Sequence, residues 1–217
     1  MSLAIFDLDN TLLNGDSDHA WGEFLCERGI VDSAKYSQSN DYFFQQYQKG
    51  TLDILEFLEF ALQPLAILST EKLFELHTQF MREKIEPMIL EKSLALLQKH
   101  RDQGDFLLII TATNSFVTAP IAKRLGVDAI LATDPEMLDG RYTGKVAGIP
   151  CFQDGKVTRL HQWLKATNHL LKGSFFYSDS RNDLPLLELV DNPVAVDADE
   201  TLTQTAQQKG WPIISLR

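Results

Sequence analysis

The sequence predicts an α/β protein: a doubly wound, mostly parallel sheet with an α-helical cap inserted into it. Three observations predict this. From residue 104 onward, short apolar runs alternate with stretches of helical periodicity, the pattern of strands joined by crossover helices. A nearly unbroken helical block, residues 17–103, separates the first apolar run from the second. Acidic and hydroxyl side chains collect just past the apolar runs, where open α/β sheets bind their ligands.

The elements follow in order. Residues 3–6 are a continuous apolar run of strand length. A helix is expected over 17–29, because Trp21, Phe24 and Leu25 fall at i, i+3 and i+4, with Ser17 or Asp18 capping its start and Gly29 its end. Two amphipathic pieces within 41–62 break near Gly50, and Gln63-Pro64 closes them. Helices are expected over 71–84 and 87–103, with Pro87 as a first-turn residue. Residues 106–110 read as a strand running into Thr111-Ala112-Thr113-Asn114, and a helix over 115–125 stops at Gly126. Residues 129–132 are a short strand. Asp139-Gly140, Gly144, Gly148, Pro150 and Asp154-Gly155 are turn signals around a small hairpin flap. Lys156 opens a helix with Val157, Leu160 and Leu164 on one face. A strand at 175–177 leads into a polar loop and a helix over 184–190, and strands at 194–196 and 213–216 flank a helix over 199–209. The expected division is a core of 1–15 and 104–217 with a helical cap of 16–103.

The chain of 217 residues carries a net charge of −10. An acidic surface argues against nucleic acid and anionic membrane as partners, since both need clustered Lys and Arg. Cys26 and Cys151 lie far apart without metal-ligand spacing and are read as reduced thiols. The chain enters its first strand almost at once, and no run approaches the ~18 apolar residues of a membrane span. A cytoplasmic protein is expected.

Chemistry concentrates where the first strand ends. Asp7 and Asp9 are two apart, so an extended chain points both carboxylates to one side, with the Thr11 hydroxyl next in the series. Two anions held together call for a cation or a proton between them. Hard oxygen donors favour Mg²⁺, which binds through a few carboxylates and phosphate oxygens. One aspartate can then attack phosphorus while its neighbour manages protons. Further stations stand at later strand ends: Thr111, Thr113 and Asn114, then Asp179, Asn182 and Asp183, with Lys156 opening the helix before the last group. Alone, Thr111 reads as a helix N-cap and Lys156 as a solvated turn lysine.

Together, Asp7-Leu8-Asp9-Asn10-Thr11, Thr111, Lys156 and Ser178-Asp179-Ser180-Arg181-Asn182-Asp183 resemble the four motifs of the haloacid dehalogenase superfamily. The phosphoserine-phosphatase-like branch, subfamily IB, matches best, because it carries a helical cap between the first two motifs. The resemblance implies a Mg²⁺-dependent phosphomonoesterase working through an aspartyl-phosphate on a small phosphorylated metabolite. It implies Asp7 as nucleophile and metal ligand. Asp9 would be general acid and then base, with its carbonyl on the metal. Thr111 would bind a phosphoryl oxygen and Lys156 would neutralise charge. Asp179 would bind Mg²⁺ and Asp183 would support it. Thr11, Asp16, Asn114 and Asn182 are the candidate substrate-binding residues. Two departures stand out: Ser178-Asp179-Ser180 and Thr111-Ala112-Thr113 replace the smaller glycine-containing strings of the phosphoserine phosphatases. A rival reading, a phospho-acceptor signalling module, needs no cap and is disfavoured by the block at 17–103.

The resemblance also bears on the substrate. Phosphoserine phosphatases hold the substrate ammonium with a glutamate at the offset of Asp16, and its carboxylate with a cap arginine whose place here falls near Glu59. A pocket with Asp16, Asp18 and Glu59 attracts a cationic group and repels a carboxylate. The expected substrate is an amino-alcohol phosphate such as histidinol phosphate or phosphoethanolamine, with phosphoserine as the alternative. The five histidines form no ligand spacing and are read as structural or surface residues. The cap aromatics Phe43, Phe44, Tyr47 and Phe57 are read mainly as packing.

Overall fold

The computed structural model describes residues 2–217. Seven strands form one sheet: β1 (Leu3–Phe6), β2 (Phe106–Asn114), β3 (Ala129–Leu138), β4 (Arg141–Ala147), β5 (Phe175–Ser178), β6 (Asn192–Val196) and β7 (Ile213–Ile214), in the order β4-β3-β2-β1-β5-β6-β7. β1 pairs in parallel with β2 on one side and β5 on the other. The chain winds outward through β2 and β3, then returns to β5, so strand order reverses at β1. A crevice opens at such a switch point.

Successive residues of the central strands serve opposite faces, and both faces are buried. Ala4 and Phe6 of β1 join one apolar cluster with Leu107 and Ile109, while Leu3 and Ile5 join a second with Leu108 and Ile110. The first cluster is covered by α1 (Ser17–Glu27), α5 (Thr70–Phe80), α6 (Glu91–Asp102) and α7 (Ser115–Leu125), through Trp21, Phe80, Leu97 and Phe116 among others. The second is covered by α8 (Asp154–Thr167), α9 (Leu184–Leu187) and α10 (Glu200–Lys209), through Leu160, Leu186 and Leu202. Each such fully buried side chain contributes about 1.5–3 kcal/mol.

Helices α2 (Ser33–Lys49) and α3 (Ile54–Ala61) roof the strand ends, and the short α4 (Gln63–Ile67) touches the flap strand β4. Phe43 and Tyr36 of α2 pack on Phe60 of α3, with ring centroids 5.2 and 4.4 Å away. α2 ends at Gly50, whose φ of 72° is left-handed, a conformation that costs a residue with a Cβ.

Several local expectations are corrected. Asp16, not Ser17 or Asp18, caps α1: its carboxylate accepts the amides of Asp18 and His19 at 2.9 Å each. α2 begins at Ser33, earlier than its apolar pattern indicates. Gln63-Pro64 does not close the segment but starts α4, because Pro fits a helix's first turn. Pro87 lies in a 3₁₀ turn, Glu86–Met88, rather than in α6. Asp154-Gly155 opens α8 instead of making a turn, and Gly155 is needed there because a Cβ would stand 2.1 Å from the Pro150 carbonyl. The hairpin flap forms from β3 and β4 around Asp139-Gly140, both at positive φ, as a two-residue turn requires. No helix among the described residues is long and apolar enough to cross a membrane.

Candidate active site

The sequence-predicted motif residues converge where β1, β2 and β5 end. β1 delivers Asp7, whose amide continues the ladder by donating to the Tyr177 carbonyl at 2.9 Å. Lys156, in the first turn of α8, is 2% exposed and so is not a solvated turn lysine. Its Nζ donates to Asp7 Oδ1 at 2.8 Å and lies 2.7 Å from Asp183 Oδ1. Burial alone would lower the lysine, but the carboxylates of Asp183 and Asp7 outweigh it and hold the ammonium above its ordinary range. Asp7 is pushed up to about 7 by burial, against the pull of Lys156. The Ser178 hydroxyl donates to Asp183 Oδ2 at 2.7 Å, so that carboxylate is braced from two sides.

Thr11 ties the first loop to the last. Its hydroxyl donates to Asp179 Oδ1 at 3.1 Å, accepts the Asp179 amide at 3.0 Å and lies 3.4 Å from Asp7 Oδ2. Burial, then repulsion from Asp7 and Asp183, raises Asp179 well above the usual carboxylate range. Two carboxylates thus face one ammonium, and a third, Asp179, is tied beside them through Thr11. When all are ionised, two negative charges are left over, which suits a divalent cation. Among the described residues, no three His, Cys, Asp or Glu side chains form a ready metal cage. The oxygen donors of Asp7 and Asp179 fit an ion that keeps several waters, as Mg²⁺ does.

Asp9 faces the other way. The Ser17 amide donates to its Oδ1 at 2.6 Å and the Thr113 hydroxyl to its Oδ2 at 2.8 Å, while the Thr111 hydroxyl is at 3.4 Å. Burial, with repulsion from Asp16, pushes Asp9 up to about 6. A carboxyl whose pKa is raised toward neutrality is suited to acid–base work. Thr113 therefore serves Asp9 more directly than Thr111 does. The signal was available, since residues two apart on a strand share a face. The Ser17 amide comes from the first turn of α1, and no side-chain pattern announces a main-chain donor.

A cavity opens in front of Asp7, Asp9, Thr111 and Thr113. Asp16, with Asp18 and His19 of α1, lines one side, Asn40, Phe43, Phe44 and Tyr47 of α2 line another, and Leu52, Ile54 and Phe57 close the roof. Among the described residues, no Lys or Arg lines it. Burial raises Asp16, and burial with repulsion from Asp16 and Asp9 raises Asp18 well above the carboxylate range. His19, expected as a structural or surface residue, stands in this wall, its ring 4.7 Å from that of Phe44 and its Nε2 3.1 Å from Asp41. Phe43, Phe44, Tyr47 and Phe57 wall the cavity as well as packing the roof.

The other candidates are spent on protein contacts. Thr11 is fully buried between Asp7 and Asp179. Asn114 caps α7 through Oδ1, which turns its Nδ2 toward Asp18 at 3.4 Å. Asn182 donates to the Tyr47 carbonyl at 3.2 Å and accepts from Gln153 at 3.1 Å. Glu59 is exposed on α3, outside the cavity lining.

Comparison with known proteins bears on the family and the fold. The family model for haloacid dehalogenase-like hydrolase matches residues 4–188. A histidinol-phosphatase of Neisseria meningitidis serogroup C is 47% identical over 220 residues, covering 100% of this chain and 99% of that one. Phosphoserine phosphatase SerB1 of Mycobacterium tuberculosis H37Rv is 32% identical over 217 residues, covering 99% of this chain and 70% of that one. A crystal structure from Bordetella pertussis Tohama I, of a protein with unknown function, superposes with a TM-score of 0.94 at 44% identity, covering 100% of this chain and 99% of that one. A switch-point sheet with a buried aspartate–lysine pair and these relatives define a phosphatase. The chain belongs to the haloacid dehalogenase-like hydrolases, in their phosphoserine-phosphatase-like branch.

Proposed function

We propose that this phosphatase hydrolyses the phosphate ester of an amino alcohol lacking a carboxylate, histidinol phosphate foremost, through an aspartyl-phosphate on Asp7. One observation carries the substrate reading: the cavity before Asp7 and Asp9 is walled by Asp16, Asp18 and aromatic rings, with no Lys or Arg among the described residues of its lining. The carboxylates suit an ammonium group, and the rings suit a flat heteroaromatic. The relative of 47% identity carries the name histidinol-phosphatase, which supports the same reading.

In the first half-reaction an Asp7 carboxylate oxygen bonds to phosphorus and the P–O bond to the alcohol breaks. Asp9 gives its proton to the departing oxygen. In the second, Asp9 takes a proton from water, the water oxygen bonds to phosphorus, and the P–O bond to Asp7 breaks to release phosphate. Lys156 offsets charge on Asp7 throughout, and Thr113 with the Ser17 amide aims the Asp9 carboxyl. Mg²⁺, held by the carboxylates of Asp7 and Asp179 and the Asp9 carbonyl, would supply neutralisation of the phosphoryl oxygens.

The test is kcat/KM for histidinol phosphate against phosphoserine. A carboxylate brought against these acids costs on the order of 2–5 kcal/mol, so histidinol phosphate should win by at least about tenfold. A preference for phosphoserine would overturn the assignment.

A further inference from the structure

The loop that carries Asp179 also grips the roof. Arg181 Nη2 donates to the Gln48 carbonyl at 3.1 Å, and Asn182 Nδ2 donates to the Tyr47 carbonyl at 3.2 Å. Both carbonyls belong to the last turn of α2, which ends at Lys49. Carbonyls there lack α-helical partners and carry partial negative charge, which a guanidinium complements.

Each gripping side chain is itself anchored in the core. The Arg181 amide donates to Asp199 Oδ2 at 2.7 Å and its Nη1 to the Thr201 hydroxyl at 3.3 Å. Gln153 donates to Asn182 Oδ1, which turns the Asn182 amide nitrogen toward α2. Gly50 completes the fit, since a Cβ there would stand 3.3 Å from Arg181 Nε. That Nε is buried without a hydrogen-bond partner. A buried donor left unpaired is a cost that calls for an explanation, and holding the guanidinium against the end of α2 supplies one.

We propose that Arg181 is a positioning residue that, with Asn182, latches the end of α2 to the loop carrying Asp179. Tyr47 lines the cavity at Asp7 and also the neighbouring one at Asp179. Its main chain is one of the two points the latch holds, so the latch sets where its ring stands. The Arg181 bond to Gln48 is exposed to solvent and can open without disturbing the core. The roof over Asp7 is therefore registered to the Asp179 loop rather than hinged independently of it. The inference needs only a phosphatase site and does not depend on which amino alcohol is the substrate.

The test compares wild type with Arg181→Ala, Arg181→Gln and Arg181→Lys by amide hydrogen exchange and steady-state kinetics. Two substrates serve: p-nitrophenyl phosphate, whose ring reaches the aromatic roof, and acetyl phosphate, which is too short to. In Arg181→Ala the Gly50 and Thr51 amides should exchange at least about tenfold faster, as expected for losing a hydrogen bond to a charged group. KM for p-nitrophenyl phosphate should rise by a similar factor, and KM for acetyl phosphate much less. Arg181→Lys should recover part of both, because it keeps the charge and loses the fork. If Arg181→Ala does not fold, Arg181→Gln carries the same comparison. Wild-type exchange at Gly50 and Thr51, or an equal rise in KM for both substrates, would overturn the latch.

Discussion

At the scale of single residues, the site is an arrangement of buried charge. Lys156 is the one ammonium between Asp7 and Asp183, at 2.8 and 2.7 Å. Replacing it with Met leaves two buried carboxylates facing each other. Breaking a buried pair from one side costs about 3–5 kcal/mol, so urea denaturation of metal-free Lys156→Met should show a loss of that order. Asp9 is held by Ser17 and Thr113 and kept apart from that pair. Asp9→Asn can neither protonate a leaving alkoxide nor activate water, so turnover of alkyl phosphates should fall by about 10²–10⁴. Aryl phosphates, whose leaving groups need less protonation, should lose less. Equal losses for the two ester classes would remove Asp9 from the acid role. The motif aspartates were legible in the sequence because they sit beside an apolar strand. The burial of Lys156 was not, because it depends on a carboxylate 149 positions away.

At the scale of elements, α1 and α5 show how helices are set against the sheet. Asp16 caps α1 and brings the Ser17 amide to Asp9. The same carboxylate lines the cavity, so one residue both starts the helix and forms part of the cavity wall. His77 of α5 is buried among Trp21, Phe80 and Phe116, and its Nε2 donates to the Val117 carbonyl at 2.9 Å. Burial lowers its pKa below the ordinary 6.5. The unfolded chain therefore binds the proton more readily than the folded one. The stability this residue contributes is present above the unfolded pKa and is lost as pH falls through the folded value. The stability difference between wild type and His77→Asn should accordingly shrink on acidification below about pH 6.5, measured by urea denaturation across pH. A difference that grows as pH falls would contradict the sign.

At the scale of the whole molecule, β1 gathers loops from distant parts of the chain into one charge cluster. When ionised, Asp7, Asp179 and Asp183 exceed the single Lys156 in charge, and a divalent cation that binds their ionised forms should stabilise the fold. Binding to the native state alone adds about 2.7 kcal/mol at a hundred times the dissociation constant. Mg²⁺ should therefore raise the melting temperature of the wild type, and Asp179→Asn should weaken that rise together with activity. Full activity in excess chelator would remove the metal from the site. The net charge of −10 makes a complementary local cation more important for an anionic substrate.

The sequence by itself determined the sheet, the sites of its helices and the family motifs. These rest on short-range regularities: apolar runs of strand length, helical periodicity, and polar residues just beyond each strand. Even there, helix starts such as Ser33 and the opening of α8 at Asp154 moved, because capping and close packing set them rather than periodicity. Only the tertiary structure decided which acids line the cavity. Asp18 lines the cavity while Glu59 points to solvent, though both sit on amphipathic helices. It also decided that Phe44 and Tyr47 line the cavity at Asp7, that Thr113 rather than Thr111 makes the shorter bond to Asp9, and that Arg181 reaches the end of α2. The physical reason is common to all of these. Burial, charge pairing and cavity walls arise between groups far apart in the chain, and no local pattern encodes how those groups meet.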